Sequence, residues 1–136
     1  MSLPVISSPP PDFLTPTGST WVVCLCADWC GVCRDYRAIF EWVATQHSQL
    51  RFAWLDVEDQ ASLVGDLEIE TFPTLLVANA HGASFMGALT PHAHTLSRLL
   101  DALGEPAAER RSVDTLLDIP ALLSSLQASP ELWVKN

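Results

Sequence analysis

The chain has 136 residues, 49% hydrophobic and 17% charged, which suits one well-filled core and excludes an intrinsically disordered chain. Sixteen acidic against seven basic residues give a formal charge of −9, and Lys135 is the only lysine. A nucleic-acid grip built on phosphate neutralisation needs a basic stripe that this composition lacks, and an anionic membrane surface is disfavoured for the same reason.

Residues 1–18 form a proline-rich segment, with Pro4, Pro9, Pro10, Pro11 and Pro16. The Pro9–Pro11 run forbids helix and favours extended polyproline, although Val5 and Ile6 could form a short edge strand. This start has no basic opening, apolar stretch or small-residue cleavage site, so a cytoplasmic location is expected. Trp21 to Ala27 is apolar on both alternating faces, as in a central strand buried on both sides. It is also the longest apolar run, far short of the roughly 20 residues that span a bilayer.

Gly31 to about Gln46 predicts a helix, with Val32, Tyr36, Phe40 and Val43 on one stripe. Arg51 to Val57 predicts a second strand. Asp59 to about Asp66 predicts a short helix opened by an acidic cap. Thr74–Ala78 and Ala83–Ala88 predict two more strands, joined by the turn chemistry of Asn79-Ala80-His81-Gly82. Pro91 to Leu103 predicts an amphipathic helix on Leu96, Leu99, Leu100 and Leu103, with Gly104 placed to end it. This order implies an α/β domain over residues 19–104, a mixed sheet with helices on both faces. Residues 105–136 form a C-terminal extension that opens with a polar linker. Its leucines at 116, 117, 122, 123 and 126, broken by Pro120, predict one or two short helices. These either pack on the core or, with Trp133, dock a partner. His47, His81, His92 and His94 read as surface residues.

Four cysteines at 24, 26, 30 and 33 fall within ten residues. A disulfide scaffold spreads its cysteines to close long loops, whereas this cluster points to redox chemistry or a metal site. Cys30 and Cys33 are placed at i and i+3 of a first helical turn. Their Cα separation then falls near the range a disulfide accepts. The helix N-terminus favours a thiolate on Cys30. The expected chemistry follows: Cys30 attacks a partner disulfide and Cys33 resolves the mixed disulfide, so the redox-active Cys30–Cys33 bond serves in place of any cofactor or metal. Cys24 and Cys26 share one strand face. They are either small buried hydrophobes, a redox relay with the pair, or half of a four-cysteine zinc or iron–sulfur site, for which C-x-C in a buried strand is poor geometry.

WCGVC after an apolar strand, Thr71-Phe72-Pro73-Thr74 some forty residues later and Gly87-Ala88-Leu89 beyond the hairpin together resemble the thioredoxin family. The resemblance spans about residues 19–104 and implies the thioredoxin fold. It implies that Pro73 is a cis-proline facing the cysteines and that Phe72, Pro73 and Gly87 meet the substrate chain, while Trp29 either contacts substrate or covers the active-site loop. It implies client protein disulfides as partners, with a thioredoxin reductase or a glutathione system as electron donor. The chain departs from the family pattern at four places. Val32 stands where proline is usual, Cys24 where a buried aspartate is usual, Cys26 where an aromatic residue is frequent, and Trp54 where a lysine often accompanies that aspartate. Cys24, Cys26 and Trp54 are therefore candidate modulators. Retention of Cys30 and Cys33 favours an oxidoreductase. Loss of the buried acid leaves a binding or assembly-chaperone module as the alternative.

Overall fold

The computed structural model describes residues 20–64, 71–79, 82–103 and 118–134. The proline-rich start, the end of the predicted short helix, the turn residues Ala80 and His81, Gly104 and the polar linker lie outside the described residues.

Trp21–Cys26 forms β1, and every one of its six residues is buried. A strand this apolar has no solvent face, so it runs through the middle of the sheet. Arg51–Asp56 (β2) pairs parallel to it, and Thr74–Asn79 (β3) pairs antiparallel on the other side. Gly82–Ala88 (β4) continues antiparallel from β3, with Asn79 opposite Gly82. Gly82 has φ 126°, a backbone conformation that a side chain would oppose. The order is β4-β3-β1-β2-β5, where β5 is the two-residue strand Trp133–Val134, antiparallel to β2.

The strand alternation divides the core into two. Val22, Cys24 and Cys26 face the first helix, α1 (Gly31–Gln46), and a later helix, α3 (Ala93–Leu103). Trp21, Val23 and Leu25 face the opposite way, against Ile119, Leu122, Leu123 and Leu126. The inward residues of α1 are Cys33, Tyr36, Phe40, Val43 and Ala44. Val32, assigned to this stripe from sequence, is 43% exposed. One helical residue turns the side chain by about 100°, and Cys33 holds the inward position instead. The short helix α2 covers Ala61–Val64, and α3 begins at Ala93 rather than Pro91.

The second layer is completed by α4 (Ile119–Gln127). Pro120 does not break this helix. It sits in the first turn, where its missing N–H costs nothing, and the Asp118 carboxylate accepts from Ala121 N–H at 3.2 Å. Of the two roles open to the extension, residues 118–134 take the packed one. Trp133 Nε1 donates to the Leu126 carbonyl at 2.6 Å. The Arg51 guanidinium lies over both the Trp21 and Trp133 rings, 5.3 and 5.1 Å from their centres. His47, expected at the surface, is buried at the end of α1. Its Nδ1 lies 3.1 Å from the Val43 carbonyl, and its Nε2 lies 3.4 Å from Asp101 Oδ1. No described helix is long and apolar enough to cross a membrane.

Candidate functional site

The site forms where β1 ends and α1 begins, because a buried strand must surrender its backbone to solvent before a helix can start. Ala27 closes the turn by accepting from Cys30 N–H at 3.0 Å. Cys30 is the N-cap of α1, with extended backbone (φ −86°, ψ 120°) and no side-chain cap bond. Its carbonyl accepts from Arg34 N–H at 3.1 Å. The Cys30 thiol is half-buried and free. Cys33, one turn on, is 1% exposed and turned toward the sheet.

Cys33 is joined there by a disulfide to Cys26, with Cα atoms 5.8 Å apart. This corrects the expected Cys30–Cys33 bond in the structure at hand. The inward stripe of α1 points the Cys33 sulfur at the C-terminal end of β1, while Cys30 stays at the helix mouth. It also removes Cys26 from the class of inert small hydrophobes. Cys24, two residues back on the same strand face, places its Sγ 3.6 Å from Cys26 Sγ. A disulfide sulfur carries no proton, so in this contact Cys24 S–H is the donor. Burial pushes the Cys24 thiol well above its ordinary value, only partly offset by the Arg37 charge. Cys24 therefore remains protonated at neutral pH. Burial likewise pushes the neighbouring Tyr36 hydroxyl up.

Beside Cys33 a cleft of about 230 Å³ opens, lined by Ala27, Asp28, Cys33, Arg34, Arg37 and Trp54. Trp54 stands edge-on to Phe40 and under the Arg37 guanidinium, 5.0 Å from the ring centre. Arg37 also pairs with Glu41 at 2.9 Å. Its cation therefore lies on the cleft wall.

Trp29 is 62% exposed and meets Phe72 edge to face, with ring centres 5.7 Å apart. Two candidate contact residues from distant segments thus form one aromatic rim next to Cys30. The Phe72–Pro73 peptide bond is cis, Pro73 is buried, and its carbonyl accepts from Leu89 N–H at 3.2 Å. Gly87 lies opposite Leu75 in the β3–β4 ladder. A Cβ there would meet only the Phe85 ring, at 3.5 Å, so packing within the chain does not demand glycine.

Two residues escaped the sequence reasoning. Asp56 ends β2 and ties two loops together. One carboxylate oxygen accepts from Asp28 N–H at 2.8 Å, and the other accepts from Glu58 and Asp59 N–H at 2.8 and 3.0 Å. Desolvation works against its charge, but these donors hold its carboxyl below the usual range. This Asp-turn, on a residue three before the predicted cap Asp59, precedes α2. Glu58 accepts from Trp29 Nε1 at 2.8 Å and so fixes the rim. The run Asp56-Val-Glu-Asp was the only available signal for either role.

The thioredoxin family profile matches residues 12–101. A candidate thioredoxin 2 of Streptomyces coelicolor is 30% identical over 79 residues, 58% of this chain and 57% of that protein. A thioredoxin of Mycoplasmoides gallisepticum is 34% identical over 65 residues, 48% of this chain and 65% of that protein. The matched part therefore spans less than two thirds of either relative. Among solved structures, the germline-specific thioredoxin Deadhead of Drosophila melanogaster superposes with a TM-score of 0.58 at 18% identity, covering 68% of this chain and 89% of that one. Fasciola hepatica thioredoxin gives a TM-score of 0.57 at 21% identity, with 64% and 83% covered. The mixed five-stranded sheet with its flanking helices is the thioredoxin fold, and the chain belongs to the thioredoxin family.

Proposed function

We propose that the protein is a thiol–disulfide oxidoreductase that reduces disulfides of client proteins in the cytoplasm. One observation carries this reading: a free, solvent-reachable thiol sits at a helix mouth, one turn from a cysteine already engaged in a disulfide. In the reduced chain, the Cys30 thiolate attacks a client disulfide, making a mixed disulfide and releasing one client thiolate. The Cys33 thiolate then attacks Cys30 Sγ and releases the second. The helix N-terminus favours negative charge at Cys30 during attack, since its first N–H groups lack partners. The rim of Trp29 and Phe72 offers the client an apolar, rigid edge, and Pro73 and Gly87 are the further residues proposed to meet the client. Reducing equivalents return through a thioredoxin reductase or a glutathione system.

Insulin reduction by dithiothreitol tests this directly. The parent chain is expected to accelerate turbidity, and Cys30→Ser is expected to fall to the dithiothreitol background. Coincident traces would end the oxidoreductase reading. A binding module on the same rim is the second reading, favoured by the engagement of Cys33 with Cys26, which leaves Cys30 without its resolving thiol. Its mark would be client binding that survives Cys30→Ser without any turnover.

A further inference from the structure

Building on the oxidoreductase function proposed above, we infer that Cys26 is a third thiol of the exchange reaction. Cys33 passes from Cys30 to Cys26, so that the oxidised protein rests with its disulfide buried and its surface thiol regenerated. Three features meet at Cys33. It lies one helical turn from Cys30, it is bonded to Cys26 in the structure, and both bonded residues are shielded from solvent. Cys24 backs this pair, 3.6 Å from Cys26 Sγ.

The step balances without an outside oxidant or reductant. The Cys26 thiolate attacks Cys33 Sγ, the Cys26–Cys33 bond forms, and the Cys30–Cys33 bond breaks. Cys30 leaves as a thiolate and takes up the proton that Cys26 gave up. Two sulfurs are oxidised before the exchange and two after it. The thiolate on Cys26 would be costly in so apolar a place, because burial disfavours the charged form. The Cys24 S–H is positioned to donate to it, a charge-assisted hydrogen bond that the structure already holds in its neutral form. The consequence is a change of mode. Once Cys33 is bonded inward, Cys30 is a nucleophile without a resolver. A second mixed disulfide on Cys30 persists until an outside thiol, or the return of Cys33, releases it.

Rapid-quench mapping on the full chain tests the exchange. The fully reduced protein is mixed with oxidised glutathione, quenched in acid at increasing times and alkylated with N-ethylmaleimide. Cleavage before Asp28 and Asp35 then separates Cys24 and Cys26 from Cys30 and Cys33. A Cys30–Cys33 bond stays within one peptide, whereas a Cys26–Cys33 bond cross-links two. The expected course is early intrapeptide disulfide that gives way to cross-linked peptides, which exceed it at least tenfold at the end. Cys30 should then carry maleimide or glutathione. In Cys24→Ala the cross-link should persist, assigning it to Cys26. In Cys26→Ser and Cys26→Ala the reaction should stop at the intrapeptide bond. A parent that keeps the intrapeptide bond, with Cys26 alkylated, would overturn the third-thiol role while leaving the oxidoreductase reading intact. A Cys30→Ser chain that cross-links as fast as the parent would instead overturn Cys30 as the point of entry, and that reading with it.

Discussion

The two faces of one strand do different things. On the face packed by α4, Trp21, Val23 and Leu25 meet Ala53, Leu55 and the α4 leucines, and no buried residue of this cluster carries a thiol or a hydroxyl. On the face packed by α1, Val22, Cys24 and Cys26 meet Cys33, Tyr36 and an aromatic group of Phe40 and Phe52 with Trp54 at its edge. A period-2 strand thus sorts its residues into a side that holds the sheet together and a side that holds the sulfur chemistry. The faces share a backbone and bury separate clusters of side chains. Substitutions on them should therefore separate into losses of stability and changes of thiol chemistry.

The largest expected effect lies on the aliphatic face. Leu126→Ala removes a fully buried side chain between α4 and the sheet, at a cost of about 2–5 kcal/mol. Urea midpoints should fall accordingly, while the alkylation rate of Cys30 in the still-folded chain stays at the parent value. A parallel change in that rate would show that the two faces are coupled. Next comes Asp56→Ala, which removes the acceptor of three loop N–H groups at the edge of the chemical face. Solvent can replace part of this, so the expected loss is about 1–2 kcal/mol, concentrated in the two loops. Amide exchange at Asp28, Glu58 and Asp59 should quicken roughly tenfold. Unchanged exchange there would separate Asp56 from the ordering of the site.

On the chemical face itself, Cys24→Ala should cost only about 1 kcal/mol, since it removes a single sulfur from a packed site. Its effect on chemistry should be the greater one. With no S–H to steady the Cys26 sulfur, formation of the Cys26–Cys33 bond should slow several-fold at neutral pH. Since the thiol is held protonated, Cys24 is also no base, and resolution by Cys33 in the parent should quicken as pH rises above 8. A parent rate that is flat from pH 6 to 9 would assign the proton to another group.

The contrast also explains what could be read in advance. The central strand, α1 to its last residue, the β3–β4 pair and the α3 leucines follow from local period and composition, which act within a few residues. So does the placement of Cys24 and Cys26 on one face. Three features depend on segments meeting in space and left little local mark. The Cys26–Cys33 bond needs α1 docked with Cys33 inward. The pairing of Trp133–Val134 with β2 closes the sheet across some eighty residues of chain. The Asp56 clamp uses a carboxylate that, in sequence, is one acid in the run Asp56-Val-Glu-Asp and reads as helix-capping composition.

The smallest expected effect concerns two acids at the lip of the chemical face that titrate in opposite senses. Asp56 lies below the ordinary carboxylate value in the folded chain. Its contribution is complete above the unfolded value of about 3.9 and is lost as pH falls through the lower folded value. Asp28 lies above its ordinary value, first because the Asp56 charge faces it, with Asp59 adding to the repulsion. It therefore subtracts stability at neutral pH, and the penalty fades as pH falls through its raised value toward about 3.9. Asp28→Asn removes the repulsion and keeps the backbone N–H that Asp56 accepts. The variant should melt slightly above the parent at pH 7, by a small margin because this carboxylate is fully exposed and screened. The gap should shrink in high salt and close by about pH 3, where Asp28 is protonated in both states. A variant that melts below the parent at pH 7, or a gap that persists at pH 3, would mean that the Asp28 side chain supports the loop before Cys30 rather than opposing its clamp.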